Sequence, residues 1–539
     1  MNFGIFDILI HTDLKTKIFV VLSVILLGVG QYLALKSSFR YILIPALHIL
    51  FGLLLSIVSR YHILVHLMIY IGPSAILSTI LYFMYNRKAH EAGPYDISYN
   101  TNKGKLTINP FSGVCILGTP KAGKTASLIR PTIQQLAEKG YAGVIYDYKR
   151  FDLTRTAYFY YMNNKEVDFR MVNFFDLCYS HRINPISPSV IQHPAFAVEA
   201  AFVFLANMMG SPRNESNSPD RYWVDSAAGV LAGIIWRLRT DFPDKCDLPH
   251  AISIAIKKDV KALTAFLEKN EQSVFLASSY FKSLVSDKQL AGILGTLGSS
   301  LSKAALPEIF YALSGDEVNL QLNDPEHPTL LCLSNTQQLD TTYAPVLALI
   351  ISVCIKLMNQ EGKHHSAVLL DEAPTLVIPN FDNIPATARS NRIATFFCAQ
   401  DMVQGESGYG RIGRDKILAT LSTHLYGRVT DPGTAERYSK MFGTIEKVYT
   451  SSSRKAGSWT SSGYTASLRD ISKYKPELFH HLKTGEFIGV IADGNMPEIN
   501  ARFDFIAEIN EPLPMIRNIS REEVQAIFET IINESVEMN

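Results

Sequence analysis

The chain has 539 residues, with 51 basic and 50 acidic side chains and a formal net charge of +1 at neutral pH. This length allows several domains with a substantial buried core. The balanced charge argues against a protein that binds nucleic acid over a broad basic face, although it permits transient contact in a channel. The six cysteines are scattered and form no C-x-x-C pair, which favours buried free thiols in a reducing, cytosolic environment for the bulk of the chain.

The N-terminal part contains three apolar runs free of Asp, Glu, Lys and Arg, at 18–35, 41–58 and 61–85. Each is long enough to cross a hydrocarbon core of about 30 Å as a helix. No small-residue cleavage site follows the first run, so a cleaved signal peptide is not expected. The flanking basic residues favour three spans with the N-terminus outside, and a two-span hairpin over 41–85 stays open as an alternative. Either arrangement predicts an integral membrane anchor with the larger C-terminal part in the cytoplasm.

The segment GTPKAGKT, residues 118–125, fits the G-x-x-x-x-G-K-[ST] pattern of a phosphate-binding loop. The apolar run GVCIL before it predicts a buried strand, and the run after it predicts a helix that ends at Gly140. In this context backbone N–H groups at the helix start face the phosphates, Lys124 neutralises their β and γ oxygens, and the Thr125 hydroxyl ligates Mg²⁺. The predicted ATP-binding residues are Gly118, Thr119, Pro120, Lys121, Ala122, Gly123, Lys124 and Thr125.

A second motif, SAVLLDEAP at 366–374, predicts a strand that ends in two carboxylates. Asp371 at the strand tip is placed to bind Mg²⁺, and Glu372 is placed to polarise the attacking water as a general base. A plain strand end followed by a turn would have the same pattern, and the intact phosphate loop is what favours the chemical interpretation. The predicted metal ligands are therefore Thr125 and Asp371.

Polar side chains flank a further buried strand, IATFFCAQD at 393–401. Gln400 at its end is predicted to sense the γ-phosphate, with a helix cap as the alternative. Arg389 and Arg392 lie just ahead of the strand, where an arginine could reach across a subunit boundary to stabilise transition-state charge. A surface ion pair is the alternative for these arginines. The predicted catalytic residues are Lys124, Glu372, Gln400 and Arg392, with Arg389 as the other candidate for the arginine.

The spacing of the motifs predicts an inserted domain. The run GVIYDYKR at 143–150 predicts the strand after the phosphate-loop helix, which gives a βαβ unit of a parallel sheet. Far more residues separate Lys124 from Asp371 than a compact nucleotide fold needs, and the intervening pattern is mostly helical. The expected division is a transmembrane anchor of three, or else two, helices (1–90), a nucleotide-binding domain in two parts (91–189 and 326–505), an inserted all-α domain (190–325) and an acidic C-terminal tail with an amphipathic helix (506–539).

In this order, behind membrane spans, the motifs resemble the VirD4/TraG family, the coupling ATPases of type IV secretion and conjugation. The resemblance extends over about 110–500 and includes GTPKAGKT, YDYKR, INPIS, YWVDSAAGVLAGII, LLDEAPTL, NRIATFFCAQD, GYGR, TAERYSKMFG and LKTGEFIGVIADGNMPEI. It implies an α/β fold, a RecA-like P-loop NTPase with an inserted all-α domain, which hydrolyses ATP with Mg²⁺ as a homo-hexamer at the bacterial inner membrane. The implied partners are type IV secretion channel components and a cargo, either a relaxase bound to DNA or secreted effector proteins, with DNA passing transiently through a central channel.

Some residues depart from the family pattern. Lys121 replaces a glycine usual in the phosphate loop, and Arg150-Phe151 replaces the Gly-Glu pair that usually follows Lys149. The short first loop between the apolar runs indicates little or no periplasmic domain. Arg392 falls where the family's trans-acting arginine tends to lie.

Two further segments carry expectations. The Ser- and Gly-rich run at 450–470 predicts a mobile surface loop, with contact of Arg454 and Lys455 to phosphates in a channel as the alternative. The last residues, SREEVQAIFETIINESVEMN, predict a helix with a capping box of Ser520 and Glu523 and one apolar stripe. That helix either docks a secreted substrate or adaptor or packs on the nucleotide-binding part.

Two other functions stay open. An FtsK-like membrane-anchored DNA translocase would need a long linker after the spans and a C-terminal winged helix, and neither is visible in the sequence. A membrane receptor that uses nucleotide as a switch, with little turnover, is disfavoured by the intact set of Lys124, Thr125, Asp371 and Glu372. The expected function is therefore an ATP-driven coupling protein that delivers DNA–protein or protein cargo to a secretion channel.

Overall fold

The computed structural model of the protein describes residues 92–538 except 165, 211–219, 380, 402 and 455–461, together with residues 25, 29 and 30. Apart from residues 25, 29 and 30 of the first run, the three apolar runs predicted to cross the membrane therefore lie outside the described residues. Within the described part, the helical segment Gln337–Met358 is long and apolar enough to cross a bilayer, but 72% of its apolar window is buried inside the protein. This segment is a core element of the compact unit Ala92–Asn539.

The described residues form thirteen strands. They are β1 (Ile97–Thr101), β2 (Gly104–Ile108), β3 (Val114–Leu117), β4 (Ala142–Asp147), β5 (Asp168–Val172), β6 (Thr329–Ser334), β7 (Ser366–Leu370), β8 (Ile393–Ala399), β9 (Thr423–Tyr426), β10 (Thr444–Arg454), β11 (Ser462–Ser472), β12 (Glu486–Ile491) and β13 (Glu498–Arg502).

The helices of the described residues are α1 (Arg130–Glu138), α2 (Asp152–Tyr161), α3 (Pro194–Met209), α4 (Asp220–Asp241), α5 (Leu248–Lys257), α6 (Val260–Glu268), α7 (Glu271–Leu276), α8 (Ser278–Ser283), α9 (Asp287–Leu301), α10 (Pro307–Leu313), α11 (Asp340–Met358), α12 (Ile384–Ala388), α13 (Val403–Thr420), α14 (Pro432–Met441), α15 (Pro476–His480) and α16 (Arg521–Glu537). A single turn of π-helix, Thr125–Ile129, precedes α1.

Nine strands form one mixed sheet in the order β13-β12-β9-β3-β8-β7-β4-β6-β5. The seven strands from β9 to β5 are parallel to one another, and β12 and β13 extend the sheet with antiparallel pairing. The runs TLLCLS, SAVLL and IATFFCA are buried along their whole length, as expected for parallel strands that are covered on both faces. The sheet thus places the ends of the predicted motif strands side by side.

Helices cover both faces of the sheet. On one face, α1 and α2 pack together with the β1–β2 hairpin in an apolar cluster that includes Ile97, Leu136 and Phe396. On the other face, α11 packs against α3, and one continuous apolar core runs from the sheet into the helices between β5 and β6. The connection between these two neighbouring strands is helical from α3 to α10, which agrees with the helical pattern in the sequence. The exact domain boundaries that we expect there stay predictions.

Helix α4 lies at the centre of these inserted helices, where it packs against α3, α7 and α9. Close approach depends on a glycine of α9, because a Cβ built at Gly292 would lie 2.4 Å from the ring of Trp223. Trp223 belongs to the aromatic-Trp run that resembles the start of the family's all-α domain, so this run has a packing role in the structure.

Strands β10 and β11 form an antiparallel ribbon outside the nine-stranded sheet, with residue pairs from Thr444↔Ser472 to Arg454↔Ser462. Our prediction of a mobile surface loop over 450–470 is therefore wrong for the described residues of this run. The physical reason is that the two strands satisfy each other's backbone N–H and C=O groups in a regular ladder. Composition, on which the prediction relied, does not report such cross-strand pairing.

Helix α16 packs on the inserted helices α5 and α10. Its predicted capping box is present, because Ser520 accepts from the Glu523 N–H while the Glu523 side chain accepts from the Ser520 N–H. Val524 is buried, and the ring of Phe528 lies 4.9 Å from that of Phe310. The sequence left two roles open for this helix, docking of a substrate or adaptor and packing on the nucleotide-binding part. In the structure the helix packs on its own chain, and it contacts the inserted helices rather than the nucleotide-binding sheet.

Candidate nucleotide site

The predicted motif residues converge at one edge of the sheet. The phosphate loop follows β3, Gln400 follows β8, and Asp371 follows β7, and β8 lies between β3 and β7 in the sheet. Because these strands are parallel, their carboxyl ends lie at the same edge, where open α/β sheets bind their ligands. The topology therefore brings together three segments that are far apart in the sequence.

The start of the phosphate loop is held by two neighbouring strands. The Gly118 N–H donates to the Ala399 carbonyl at the end of β8 (3.2 Å), and the Thr119 N–H donates to the Arg428 carbonyl just after β9 (2.8 Å). The Thr119 hydroxyl also donates to that carbonyl at 3.0 Å. These bonds fix the level at which the chain leaves β3 and turns toward the helix.

The middle of the loop is held by the segment that precedes β12. The Gly485 N–H donates to the Ala122 carbonyl at 2.9 Å, and the Thr484 hydroxyl donates to the Lys121 carbonyl at 3.0 Å. Gly123 has a φ of +98°, and a Cβ built on it would lie 2.7 Å from the Gly485 nitrogen. Gly123 is therefore required for both its backbone angle and its lack of a side chain.

Three residues at which the sequence departs from the family pattern have left-handed backbone conformations. Lys121 has φ 66°, Arg150 has φ 49° and Phe151 has φ 72°. This region costs an L-amino acid about 1 kcal/mol or more, whereas glycine enters it freely. At Lys121 and Arg150 the backbone thus has the shape that the glycine usual in the family would adopt.

Lys124 lies buried between the loop and the second motif. Its Nζ donates to the Gly118 carbonyl and lies 3.8 Å from Glu372 Oε1, and the residue is only 6% exposed. Burial lowers the pKa of the ammonium group, and the nearby carboxylates of Glu372 and Asp371 oppose that effect. The arrangement keeps a cation next to the phosphate loop with little competing water.

Asp371 is the strongest candidate for a metal ligand. Its N–H donates to the Tyr146 carbonyl at 3.1 Å, its side chain is 1% exposed, and its Oδ1 has no hydrogen-bond partner within the described part of the chain. Burial raises the pKa of this carboxyl to about 7, against the attraction of Lys149. A buried, unpaired carboxylate oxygen is costly by itself, and it is the donor that a hard divalent cation such as Mg²⁺ prefers.

The rest of the candidate metal environment also suits Mg²⁺. Thr125 is the first residue of the π-helical turn after the loop. The described residues contain no group of three or more His, Cys, Asp or Glu placed to hold an ion. Mg²⁺ commonly takes one or two protein ligands and completes its shell with water and phosphate oxygens, so the residues present fit this ion.

Glu372 has a strained backbone and a constrained side chain. Its φ of 52° is left-handed, and Thr375 donates to its carbonyl from both the N–H (3.0 Å) and the hydroxyl (2.8 Å). Gln400 Nε2 donates to Glu372 Oε1 at 3.3 Å. Strained residues that the surroundings hold in place cluster at functional sites. The structure thus brings Lys124, Glu372 and Gln400 together.

The two arginines lie away from this cluster. Arg389 and Arg392 precede β8, at the amino edge of the sheet, whereas Gln400 follows β8 at the carboxyl edge. The seven residues of β8 span about 20 Å, which exceeds the reach of an arginine side chain. Arg389 is 61% exposed and lies 3.4 Å from Asp493, and Arg392 is also exposed. Neither arginine can reach the phosphate loop of its own chain.

Two features of the site have no signal in the sequence around the motifs. The Thr484–Gly485 support of the loop joins residues more than 360 positions apart. The Tyr146 hydroxyl bonds with Thr375 at 3.1 Å and accepts from Asn335 at 2.9 Å, which links the ends of β4, β6 and β7. Only the order of strands in the sheet makes these contacts possible.

Comparison with known proteins supports the resemblance. Residues 365–477 match the family model described as the TraM recognition site of TraD and TraG. The comparison with curated proteins gives no match. Among solved structures, the bacterial conjugative coupling protein TrwBΔN70, in its unbound monoclinic form, is similar with a TM-score of 0.61 and 16% identity, over 81% of this chain and 94% of that one.

Two liganded forms of the same plasmid coupling protein are also similar. TrwB in complex with the non-hydrolysable ATP analogue ADPNP has a TM-score of 0.60 and 14% identity, over 82% of this chain and 95% of that one. TrwB in complex with ADP and Mg²⁺ has a TM-score of 0.57 and 15% identity, over 77% and 88%. Together with the sequence match over 365–477, the common fold confirms the resemblance to the VirD4/TraG coupling proteins and the RecA-like α/β fold with inserted helices.

Proposed function

We propose that this protein is a membrane-anchored ATPase that uses ATP hydrolysis to deliver cargo to a type IV secretion or conjugation channel. The observation that carries the proposal is the convergence of the phosphate loop, Asp371, Glu372 and Gln400 at one sheet edge, in a chain with the fold of conjugative coupling proteins. The cargo is either a relaxase bound to DNA or a secreted effector protein.

ATP and Mg²⁺ are the proposed cofactors. Support comes from the unpaired buried oxygen of Asp371 and from the similar fold of TrwB, which has been seen with ADPNP and with ADP and Mg²⁺. Thr125 and Asp371 would hold Mg²⁺, which when bound offsets the negative charge of the β and γ phosphate oxygens. Backbone N–H groups of residues 123–125 and the ammonium group of Lys124 would bind the same oxygens, and Lys124 would exchange its bond to the Gly118 carbonyl for bonds to phosphate.

Glu372 is the proposed general base. Its carboxylate would accept a proton from the attacking water, and the amide of Gln400 holds Oε1 in position at 3.3 Å. The low exposure of Glu372, 3%, excludes bulk water that would otherwise compete for that proton. Gln400 thereby links the base to the end of β8, next to the loop that binds the phosphates.

Arg392 is the proposed trans-acting arginine, in a homo-hexamer at the bacterial inner membrane. Its exposure and its place at the amino edge of the sheet support an action on a neighbouring subunit rather than on its own loop. In the same proposal, residues 1–90 anchor the ring as a multi-pass segment and the bulk of the chain lies in the cytoplasm, where secretion channel components are its partners. The match over 365–477 further suggests that this region contacts a protein of the TraM kind.

ATP hydrolysis by the purified full chain tests the proposal. Glu372→Gln is expected to lower the rate by about 10²- to 10⁴-fold while nucleotide binding is retained, and Lys124→Ala is expected to lose both. Glu361→Gln, an exposed glutamate that precedes β7, is the matched control and should hydrolyse ATP normally. A wild-type rate in Glu372→Gln would overturn the assignment.

A subunit-mixing experiment tests the arginine. Arg392→Ala subunits retain an intact phosphate loop, and Lys124→Ala subunits retain the arginine, so mixed assemblies should recover part of the hydrolysis that each lacks alone. Arg389→Ala, which removes the neighbouring exposed arginine, is the control and should need no complementation. Absence of recovery in mixed assemblies of normal size would count against action in trans.

A further inference from the structure

The β10–β11 ribbon has two chemically different faces. Successive side chains of a strand point to opposite faces, and residues opposite each other in the ladder share a face. Over the pairs from Ile445↔Ile471 to Tyr449↔Ser467, one face, which we call the basic face, comprises Ile445, Lys447, Tyr449, Ser467, Arg469 and Ile471. The other, which we call the acidic face, comprises Glu446, Val448, Leu468 and Asp470. All four charged residues are exposed.

On each face, two charges of the same sign lie directly opposite one another. Lys447 is paired with Arg469 on the basic face, and Glu446 is paired with Asp470 on the acidic face. Like charges in this position destabilise a strand pair. The ring of Tyr449 lies 5.9 Å from Lys447 Nζ and 5.6 Å from the Arg469 guanidinium carbon, which offsets part of the repulsion on the basic face only.

Each face also exposes apolar side chains next to its charges. Val448 and Leu468, which face each other across the acidic face, are 59% and 67% exposed, and Ile445 and Tyr449 on the basic face are 44% and 42% exposed. A ribbon of two strands is marginally stable in water without a further packing partner. Exposed apolar groups bordered by charge are typical of an interaction surface.

We propose that the basic face of the ribbon in one copy of the chain docks on the acidic face of the ribbon in a second copy. Suppose that the two ribbons run in the same direction. A shift of one residue along the strand, about 3.4 Å, then brings Lys447 and Arg469 of one copy level with Glu446 and Asp470 of the other. The same shift brings Tyr449 of the first copy level with Val448 and Leu468 of the second. Charge and apolar surface are thus complementary in a single register, with each like-charged pair opposite its counter-ions.

Nucleic acid explains the ribbon less well. A polyanion on the basic face would leave the acidic pair and the most exposed apolar residues, Val448 and Leu468, without a partner. A contact between copies uses both faces of every ribbon. Because it joins different surfaces on the two copies, it is head-to-tail and closes into a ring when the rotation between copies permits. The contact thus goes beyond the proposed function and does not depend on the assignment of the hydrolytic residues.

Charge reversal on the full chain tests the contact, with assembly measured by mass photometry in the presence of a non-hydrolysable ATP analogue. The acidic variant, Lys447→Glu with Arg469→Glu, and the basic variant, Glu446→Lys with Asp470→Lys, should each raise the concentration for half-assembly by about tenfold or more. An equimolar mixture of the two variants should assemble again, because acidic and basic ribbons can alternate. The fourfold variant, in which the two faces are exchanged, should assemble by itself.

Nucleotide binding by each variant serves as the control for folding, because the ribbon lies outside the nine-stranded sheet that forms the nucleotide site. The proposal is overturned if the wild-type chain does not assemble, or if both double variants assemble like wild type. It is also overturned if assembly is lost and neither mixing nor the exchanged faces restores it. Loss of single-stranded oligonucleotide binding in the acidic variant, with assembly unchanged, would assign the basic face to nucleic acid instead.

Discussion

The candidate nucleotide site and the β10–β11 ribbon handle charge in opposite ways. In the site, Lys124 and Glu372 are buried, opposite in sign and 3.8 Å apart. In the ribbon, Lys447 and Arg469 are exposed, equal in sign and paired across two strands. A buried charge requires a partner within the chain because removal from water is expensive, whereas an exposed like-charged pair costs little. Such a pair therefore needs no counter-ion in its own chain, and in the proposed contact a second copy of the chain supplies one.

The two regions also differ in how their backbones are held. The phosphate loop donates hydrogen bonds to carbonyls at the end of β8 and just after β9, and it accepts a hydrogen bond from the segment before β12. The ribbon is held by the ladder between its own two strands. Strain can persist where several elements hold one segment, which accounts for left-handed Lys121 and Glu372 in the site. We expect substitutions in the site to have large effects and substitutions in the ribbon to have small ones.

The largest effect is expected for Gly123→Ala. The new Cβ would lie 2.7 Å from the Gly485 nitrogen, on a residue whose φ is +98°, so the loop must move and nucleotide binding should be lost, with a destabilisation of about 3 kcal/mol. Gly104→Ala is the matched control, because Gly104 has a similar φ of +113° with nothing within 4 Å of a Cβ. It should cost about 1 kcal/mol and leave binding intact. For both variants, titration with a fluorescent ATP analogue measures nucleotide binding and thermal unfolding measures stability. Normal nucleotide binding by Gly123→Ala would contradict the geometry.

A pH effect is expected at α16, where charges are partly buried. His250 is buried, and burial lowers its pKa, but its hydrogen bonds to Asp247 (2.7 Å) and Glu534 (3.0 Å) outweigh this and the pKa is raised above 6.5. A raised folded-state pKa contributes stability that is fully present below pH 6.5 and is lost as the pH rises through the folded-state value. Of these two bonds only the one to Glu534 reaches α16, so the loss of this bond should weaken docking of the helix by about 1–2 kcal/mol at higher pH.

Hydrogen exchange of residues 521–537 measures this effect when wild type and His250→Gln are compared at the same pH. Wild type should be the better protected at about pH 6, and the difference should shrink by about pH 8 as the imidazole loses its charge. His327→Gln, which removes an exposed histidine, is the control and should show the same protection as wild type at both pH values. A difference that grows with pH would show that the sign is wrong.

A smaller effect is expected at Lys121. Because its φ is 66°, Lys121→Gly should be more stable than Lys121→Ala by about 1 kcal/mol. Both variants remove the same exposed side chain, so the comparison isolates the backbone strain. The midpoint of thermal unfolding measures the difference, and equal midpoints would mean that the loop relaxes out of the left-handed region when the lysine is removed.

The smallest effect is expected in the ribbon itself. Lys447 is paired with Arg469 across the two strands. Lys447→Glu turns this pair of like charges into a pair of opposite charges, so it should stabilise the ribbon by about 0.5 kcal/mol. The same change should weaken assembly, because the basic face loses a cation. Hydrogen exchange of residues 444–449 in the dissociated chain measures the first effect, and Lys447→Gln separates charge from shape. If the ribbon of the Lys447→Glu variant were less stable than that of the Lys447→Gln variant, the repulsion argument would fail.

Much of the nucleotide site is predictable because its parts are local. The loop 118–125, the strand that ends at Asp371 and the strand that ends at Gln400 follow from apolar runs that end in polar residues. Parallel strands share a carboxyl edge, so the proximity of these ends follows as well. The left-handed backbone of Glu372 could not be predicted from the sequence, because it depends on Thr375 and on the hydrogen bonds that link Thr375, Tyr146 and Asn335.

The sequence by itself determined the phosphate loop, the motif strands, the helical insertion and the capping box of α16, since each depends on residues within a few positions of one another. Only the tertiary structure decided that Thr484 and Gly485 support the loop, that the run at 450–470 lies in a ribbon, and that α16 packs on α5 and α10. These contacts join distant residues, and their formation depends on the burial and backbone pairing summed over the whole fold rather than on any short pattern.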